Sequence, residues 1–173
     1  MSKPADHGGI RLPASSTDIA AVRSSPPGPF VHSITVGWGD CDPAQIAYTA
    51  NVLTWGMKAL EAWCDLCLGV NWFELNMDHG IGTPFVHLSY DLTAPITPRG
   101  MLECTIYIRR IGRSSLHQII EGRQSGRLCF TGKMTSVFVA AANMKPIPIP
   151  PNMRQSIQLY AAGQGRELEE KEA

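Results

Sequence analysis

The 173-residue chain has no surplus of charge: 15 lysines and arginines stand against 15 aspartates and glutamates. That balance removes the long-range attraction on which non-specific nucleic-acid binding depends. No apolar run reaches membrane-spanning length, so no membrane partner is expected. The N-terminus lacks a basic region followed by an apolar core, and no secretory signal is read there. The five cysteines, Cys41, Cys64, Cys67, Cys104 and Cys129, are odd in number and hold only one CxxC, Cys64 to Cys67. That pair falls inside a helical pattern, where small apolar residues are wanted, and the expected setting is a reducing cytoplasm. His32, His79, His87 and His117 are scattered without ligand spacing, so no metal site is expected. No internal repeat is present.

A hydrophobic fraction of 44% is that of an ordinary globular protein. The length allows one domain with a substantial core. Residues 1–29 contain Pro4, Pro13, Pro26, Pro27 and Pro29 among small polar residues without pattern, and read as a flexible leader. Residues 30–162 carry the periodic segments of a single domain, and 163–173 read as a charged, disordered tail. Charge is uneven within the domain. Arg99, Arg109, Arg110, Arg113, Arg123, Arg127 and Lys133 face only Glu103 and Glu121 between positions 99 and 133, while the last eight residues hold four glutamates. Such a basic region suits a small polyanion such as a nucleotide phosphate, or is simply a solvated strand face.

Phe30 to Trp38 alternates, with His32, Ile34, Val36 and Trp38 on one side, which predicts a strand. From Thr49 to Leu68 the period changes. Val52, Leu53, Met57, Leu60, Trp63, Cys64 and Cys67 form the stripe of a long helix buried on one side, and Gly69 is its natural stop. Gly56 lies on or near that stripe and would allow a sheet to approach closely. Val70 to Gly82 reads as irregular. Four further strands are expected. Thr83 to about Tyr90 groups Val86, Leu88 and Tyr90 on one face. In Met101 to Arg110, Leu102, Cys104, Ile106 and Ile108 point inward. Ser114 to Arg123 follows, and then Arg127 to Ala141. Four prolines between Met144 and Pro151 take the chain out of the sheet, and Asn152 is placed to cap a C-terminal helix to about Ala161. One long helix against one antiparallel sheet is an α+β domain of two layers.

The chemistry concentrates at the break between first strand and helix. Gly37 and Gly39 interrupt the strand, two carboxylates follow at Asp40 and Asp42, and Pro43 forces a turn. The long helix then begins with free N–H groups and a positive dipole end. A carboxylate and an N–H cluster can together attack a carbonyl and stabilise the oxyanion that forms. The plain alternative is that Asp42 is a turn or capping residue. Asp40 is better suited to accepting backbone N–H bonds within the loop, and Cys41, with no adjoining His, to packing.

Trp38-Gly39-Asp40-Cys41-Asp42-Pro43-Ala44, with Tyr48 and Asn51, resembles the signature of the 4-hydroxybenzoyl-CoA thioesterase family. Gly82-Thr83-Pro84 and Gly112-Arg113-Ser114-Ser115 are similar to the family as well. The resemblance covers roughly residues 31–150. It implies the hotdog fold, with a curved sheet of about five strands wrapped around the central helix, and hydrolysis of acyl-CoA thioesters without metal or cofactor. It further implies a homo-oligomer, a dimer or a homotetramer built as a dimer of dimers, with the site at the subunit interface. By the same resemblance Asp42 is the catalytic carboxylate, as nucleophile or general base, and the backbone N–H of Thr49 polarises the thioester carbonyl. A thioester has a good leaving group, so a positioned carboxylate and one N–H suffice and no His base is needed.

This sequence departs from the family pattern at three places. Thr49 stands where one branch has histidine, Gln45 replaces a usual glycine, and Ala50 a common proline. A further branch places its carboxylate on the central helix, where Glu61 and Asp65 are the acids here. Arg110 and Arg113, with Arg99 and Lys133 behind them, are the candidates for the coenzyme A phosphates. Trp38, Tyr48, Thr83 and Phe85 are candidates for an acyl pocket, preferably for an aromatic acyl group, and each would serve equally as core. The competing reading is a non-catalytic hotdog module that binds acyl-CoA or an acyl carrier as sensor or scaffold. A hotdog dehydratase would want a His on the central helix, and Thr49 to Leu68 contains none.

Overall fold

The computed structural model describes residues 29–169, so nearly all of the expected leader, and positions 170–173, lie outside the described residues. The central helix α1 spans Thr49–Leu68, as its period predicts. Val52, Trp55, Gly56, Ala59, Leu60, Trp63, Cys64 and Cys67 are its buried face. Gly69 ends it at φ 72°, donating its N–H to the Asp65 carbonyl. Leu53 falls outside the buried stripe and is 43% exposed.

Five strands wrap this helix in the order β1-β4-β5-β6-β3, all antiparallel: β1 (Val31–Thr35), β3 (Phe85–Leu92), β4 (Met101–Ile111), β5 (Ser115–Gln124) and β6 (Arg127–Val137). This is the hotdog arrangement. Leu102, Cys104, Ile106 and Ile108 of β4 are fully buried, as their alternation predicts. The thiols of Cys64 and Cys104 sit deep enough that burial pushes each up to about 12, which marks them as inert packing rather than chemistry.

Several elements differ from expectation. The first strand stops at Thr35, because Trp38–Asp40 folds into a 3-10 turn that leaves Trp38 70% exposed. The stretch after α1 is not wholly irregular. Asn71 accepts a hydrogen bond from the Glu74 N–H and caps a short helix, α2 (Trp72–Met77). A bulge between Phe85 and His87 reverses the first faces of β3, so Phe85 joins Tyr90 against the core while Val86 and Leu88 stay exposed. The last long strand divides. After β6, β7 (Val139–Ala140) leaves to pair with β2 (Ile81–Gly82) and with β8 (Lys145–Pro146) in a second small sheet.

Helix α3 (Pro151–Gly163) packs on α1 through Met153, Ile157 and Tyr160. Asn152 is not its cap. Pro150 holds that position and Pro151 is the first helical residue, where a missing N–H costs nothing. The expected disordered tail is, as far as Glu169, folded onto β4. Beyond Thr105 this strand has lost β1 as a neighbour, and the Gln164 side-chain amide replaces it, bonding both the N–H and the carbonyl of Ile108 at 2.7 and 2.8 Å.

Candidate active site

The loop leaving β1 is closed by its own polar groups. The Asp40 carboxylate accepts the Gly37 N–H at 2.8 Å, as expected of a loop-holding acid. The Asp40 carbonyl accepts both the Tyr48 N–H and the Asn51 side-chain amide, at 2.9 Å each, which ties the loop to the start of α1. Between them Asp42-Pro43-Ala44-Gln45 forms a tight turn. The Gln45 N–H donates to the Asp42 carbonyl, and the Asp42 N–H to the Ile46 carbonyl, both at 2.9 Å. Pro43 presets the first turn dihedral, and Asp42 Oδ1 accepts the Ala44 N–H at 2.9 Å. That bond locks the half-buried carboxylate while its Oδ2 meets no donor among the described residues.

Gln45, which stands where the family that the loop resembles usually has glycine, has φ 64°. Glycine holds that left-handed conformation without Cβ strain, at a cost to other residues of about 1 kcal/mol. Gln45→Gly is therefore expected to raise stability by up to about 1 kcal/mol. Chemical denaturation checks this, and a loss of stability refutes the strain.

The N-terminus of α1 is bare. Tyr48 occupies the cap position without a side-chain hydrogen bond, and no acid sits in the first turn. Among the described residues nothing accepts the N–H of Thr49 or Ala50, so the positive helix end is uncompensated. Beside it opens a cleft of about 250 Å³, lined by Ile46, Ala47, Thr49, Val52 and the chain from Leu92 to Ile96. The Ala47 N–H to the Ile96 carbonyl, 2.8 Å, joins its walls. The 92–96 wall escaped the sequence reading, because a connection rich in proline and threonine carries no periodic signal. Trp38 and Tyr48, 70% and 58% exposed, flank the loop.

The other four sequence candidates are not here. Thr83 and Phe85 line a pocket between α1 and the sheet, of about 20 Å³, with Trp72 and the buried Gln118 and Ser136. Strand register shows the separation: Phe85 pairs with Ser136, Ser136 with Leu116 and Leu116 with Ile111, whereas Leu92 pairs with Phe130 and Phe130 with Gly122. Along β3 the two ends stand roughly 23 Å apart. Arg110 and Arg113 belong to the Phe85 end. Both line a cleft of about 580 Å³ with Arg154, whose guanidinium donates to the carbonyls of Gly112 and Arg113. Arg154, distant in sequence, was missed. The predicted site residues thus fall into two separate groups at opposite ends of the sheet.

Arg110 is aimed by His117. Its guanidinium approaches His117 Nε2 at 2.7 Å. Arginine only donates, so Nε2 accepts and the proton resides on Nδ1, which donates to Thr135 Oγ1 at 3.0 Å. Burial, then the charges of Arg110 and Arg109, hold the imidazole below its ordinary 6.5. A depressed histidine binds fewer protons folded than unfolded, so its contribution is complete above 6.5 and is lost as pH falls through the folded value. Thermal stability is expected to decline below about pH 6.5, and the step should vanish in His117→Gln. An unchanged acid limb in that variant would rule out His117 as its source.

Among the described residues no helix is long and apolar enough to cross a membrane. Comparison with solved structures places a thioesterase-superfamily protein from Jannaschia sp. CCS1 at a TM-score of 0.72 with 38% identity, over 80% of this chain and 96% of that one. A gentisyl-coenzyme A thioesterase superposes at 0.65 with 25% identity, over 74% and 99%. A 1,4-dihydroxy-2-naphthoyl-CoA thioesterase from Synechocystis superposes at 0.69 with 22% identity, over 76% and 96%, which speaks for the fold. Comparison with curated proteins finds no match. The profile of the thioesterase-like superfamily matches residues 36–157, and the chain belongs to that superfamily.

Proposed function

We propose that the protein hydrolyses an acyl-CoA thioester, of the aromatic class favoured by the resemblance to 4-hydroxybenzoyl-CoA thioesterases, to the free acid and coenzyme A. The observation that carries this reading is a locked carboxylate with one oxygen unbonded, in the loop that leads into a helix whose first amides meet no acceptor among the described residues. Asp42 Oδ2 attacks the thioester carbon or takes a proton from the water that does. The carbonyl oxygen, as it gains charge, receives the Thr49 N–H at the positive end of α1. The thiolate leaves without an acid, since thiols ionise near pH 8.5. Trp38 and Tyr48 offer flat apolar surface to an aromatic acyl group. Superfamily membership and the likeness to a gentisyl-CoA thioesterase support the substrate class.

The working unit is a homo-oligomer, a dimer or a dimer of dimers. Strand β3 is a sheet edge carrying exposed Val86, Leu88 and Leu92, at 64%, 44% and 52%, and such an edge is a template for pairing. Antiparallel pairing of two β3 edges about a two-fold axis sets the Phe85 end of one copy beside the Leu92 end of the other. That arrangement reunites Thr83, Phe85, Arg110 and Arg113 with Asp42 and Thr49 across the interface. Leu88→Lys is therefore expected to yield a monomer in sedimentation and to abolish hydrolysis. A dimer that persists with full activity removes this edge from the interface.

Thiol release from a panel of benzoyl-, hydroxybenzoyl-, phenylacetyl- and aliphatic acyl-CoAs tests the activity. Turnover, fastest on an aromatic member, is expected. Binding without turnover of any member would instead identify a sensor or scaffold.

A further inference from the structure

The charged C-terminal segment has a defined course. Gln164, 3% exposed, bonds Ile108. The Arg166 guanidinium lies 4.0 Å over the Tyr107 ring and donates to Glu121 Oε1 at 2.7 Å. The Glu169 N–H donates to the Arg109 carbonyl at 2.8 Å, and its carboxylate pairs with Arg109 Nε at 2.5 Å. Residues 164–169 thus form a strap that takes the place of β1 along the end of β4. It finishes in the arginine cleft, where Glu169 lines the same wall as Arg110, Arg113 and Arg154. The hydrogen bond from Arg109, with the charges of Arg109, Arg110 and Lys133, holds the Glu169 carboxyl below the usual range, so it is an anion there at neutral pH. Beyond it come Glu170 and Glu172.

We infer that this acidic strap is an internal competitor for the phosphate groups of a coenzyme A ligand in the cleft of Arg110, Arg113 and Arg154. The inference rests on the reading of Arg110 and Arg113 as phosphate ligands. Glu169 is paired with Arg109, and its charge lies near Arg110 in the lining of the same cleft. Arg113 is exposed and its guanidinium bonds no acceptor among the described residues, whereas Arg110 is fixed by His117 and the turn between them by Arg154. A preformed set of cations attracts any anion, and the tethered carboxylate is always at hand. A coenzyme A phosphate entering the cleft must move the Glu169 carboxylate off this wall or bind against its charge, so its affinity is reduced by the fraction of clefts in which the strap is docked.

Calorimetric titration with coenzyme A tests this on three proteins: the full chain, a chain ending at Leu168, and Glu169→Gln, which keeps the backbone bond to Arg109. Removing Glu169 to Ala173 is expected to tighten binding by about three- to tenfold. Glu169→Gln should recover part of that gain, and thermal melts verify that each chain is folded. Arg113→Gln, in the full and shortened chains, separates the two readings. If Arg113→Gln weakens binding but shortening and Glu169→Gln leave it unchanged or weaker, competition by the strap is overturned. If Arg113→Gln has no effect, the cleft is not the phosphate site and the inference falls with that reading.

Discussion

Asp42→Asn is expected to lower kcat for thioester hydrolysis by about a hundred- to ten-thousandfold, the range for losing a general base. The variant should keep its fold and bind acyl-CoA as before. Asparagine retains an Oδ1 that can accept the Ala44 N–H, now at 2.9 Å from Asp42 Oδ1, so the turn that positions residue 42 survives. What disappears is the unbonded oxygen's charge, needed only as the acyl carbon is attacked. An interaction made only in the transition state appears in kcat and kcat/KM alike, with KM little changed. Asp40→Ala makes the contrast. Its carboxylate holds the Gly37 N–H, so its loss should loosen the loop and lower stability. Thiol-release kinetics on both variants, with melting curves, separate the roles. An Asp42→Asn enzyme within a fewfold of wild type would eliminate carboxylate catalysis at this loop.

The second large effect is in packing. Gly56→Ala is expected to destabilise the protein by about 1–3 kcal/mol, the cost of overfilling a core, although alanine is the better helix former by about 1 kcal/mol. A Cβ on residue 56 would stand 2.1 Å from the Tyr90 hydroxyl oxygen. Tyr90 cannot retreat. Its ring lies 5.6 Å from that of Phe130, and a Cβ on Gly132 would come within 3.0 Å of it. The same hydroxyl is buried without a hydrogen-bond partner among the described residues. Tyr90→Phe alone should therefore be neutral or mildly stabilising, since it removes an unsatisfied polar atom. Combined with Gly56→Ala it should restore much of the lost stability, with a coupling energy of about 1 kcal/mol or more. At this chain length each kcal/mol moves Tm by about 2–4 °C. Strict additivity of the two substitutions would show that the oxygen is not the obstacle.

Local order was largely legible in the sequence. The bounds of α1, the inward set of β4 and the stop at Gly69 follow from periodicity and from a left-handed C-terminal position, both properties of short segments. The loop before α1 was legible for the same reason: glycines, two acids and a proline define a turn by their own backbone chemistry. Gln45 was visible as a departure from a glycine, but only its φ of 64° shows that the departure carries strain.

What sequence by itself determined is the pair of layers, the identity of the buried faces, and a carboxylate at the entry of the long helix. Each depends on neighbours within a few residues. The tertiary structure alone decided that Thr83, Phe85, Arg110 and Arg113 stand at the opposite end of the sheet from Asp42. It alone decided that a bulge returns Phe85 to the core, and that a polar tail completes β4. The physical reason is common to all three. Strand order and register are set by pairing between distant segments, and a side-chain amide takes the place of a missing strand only where that strand has ended.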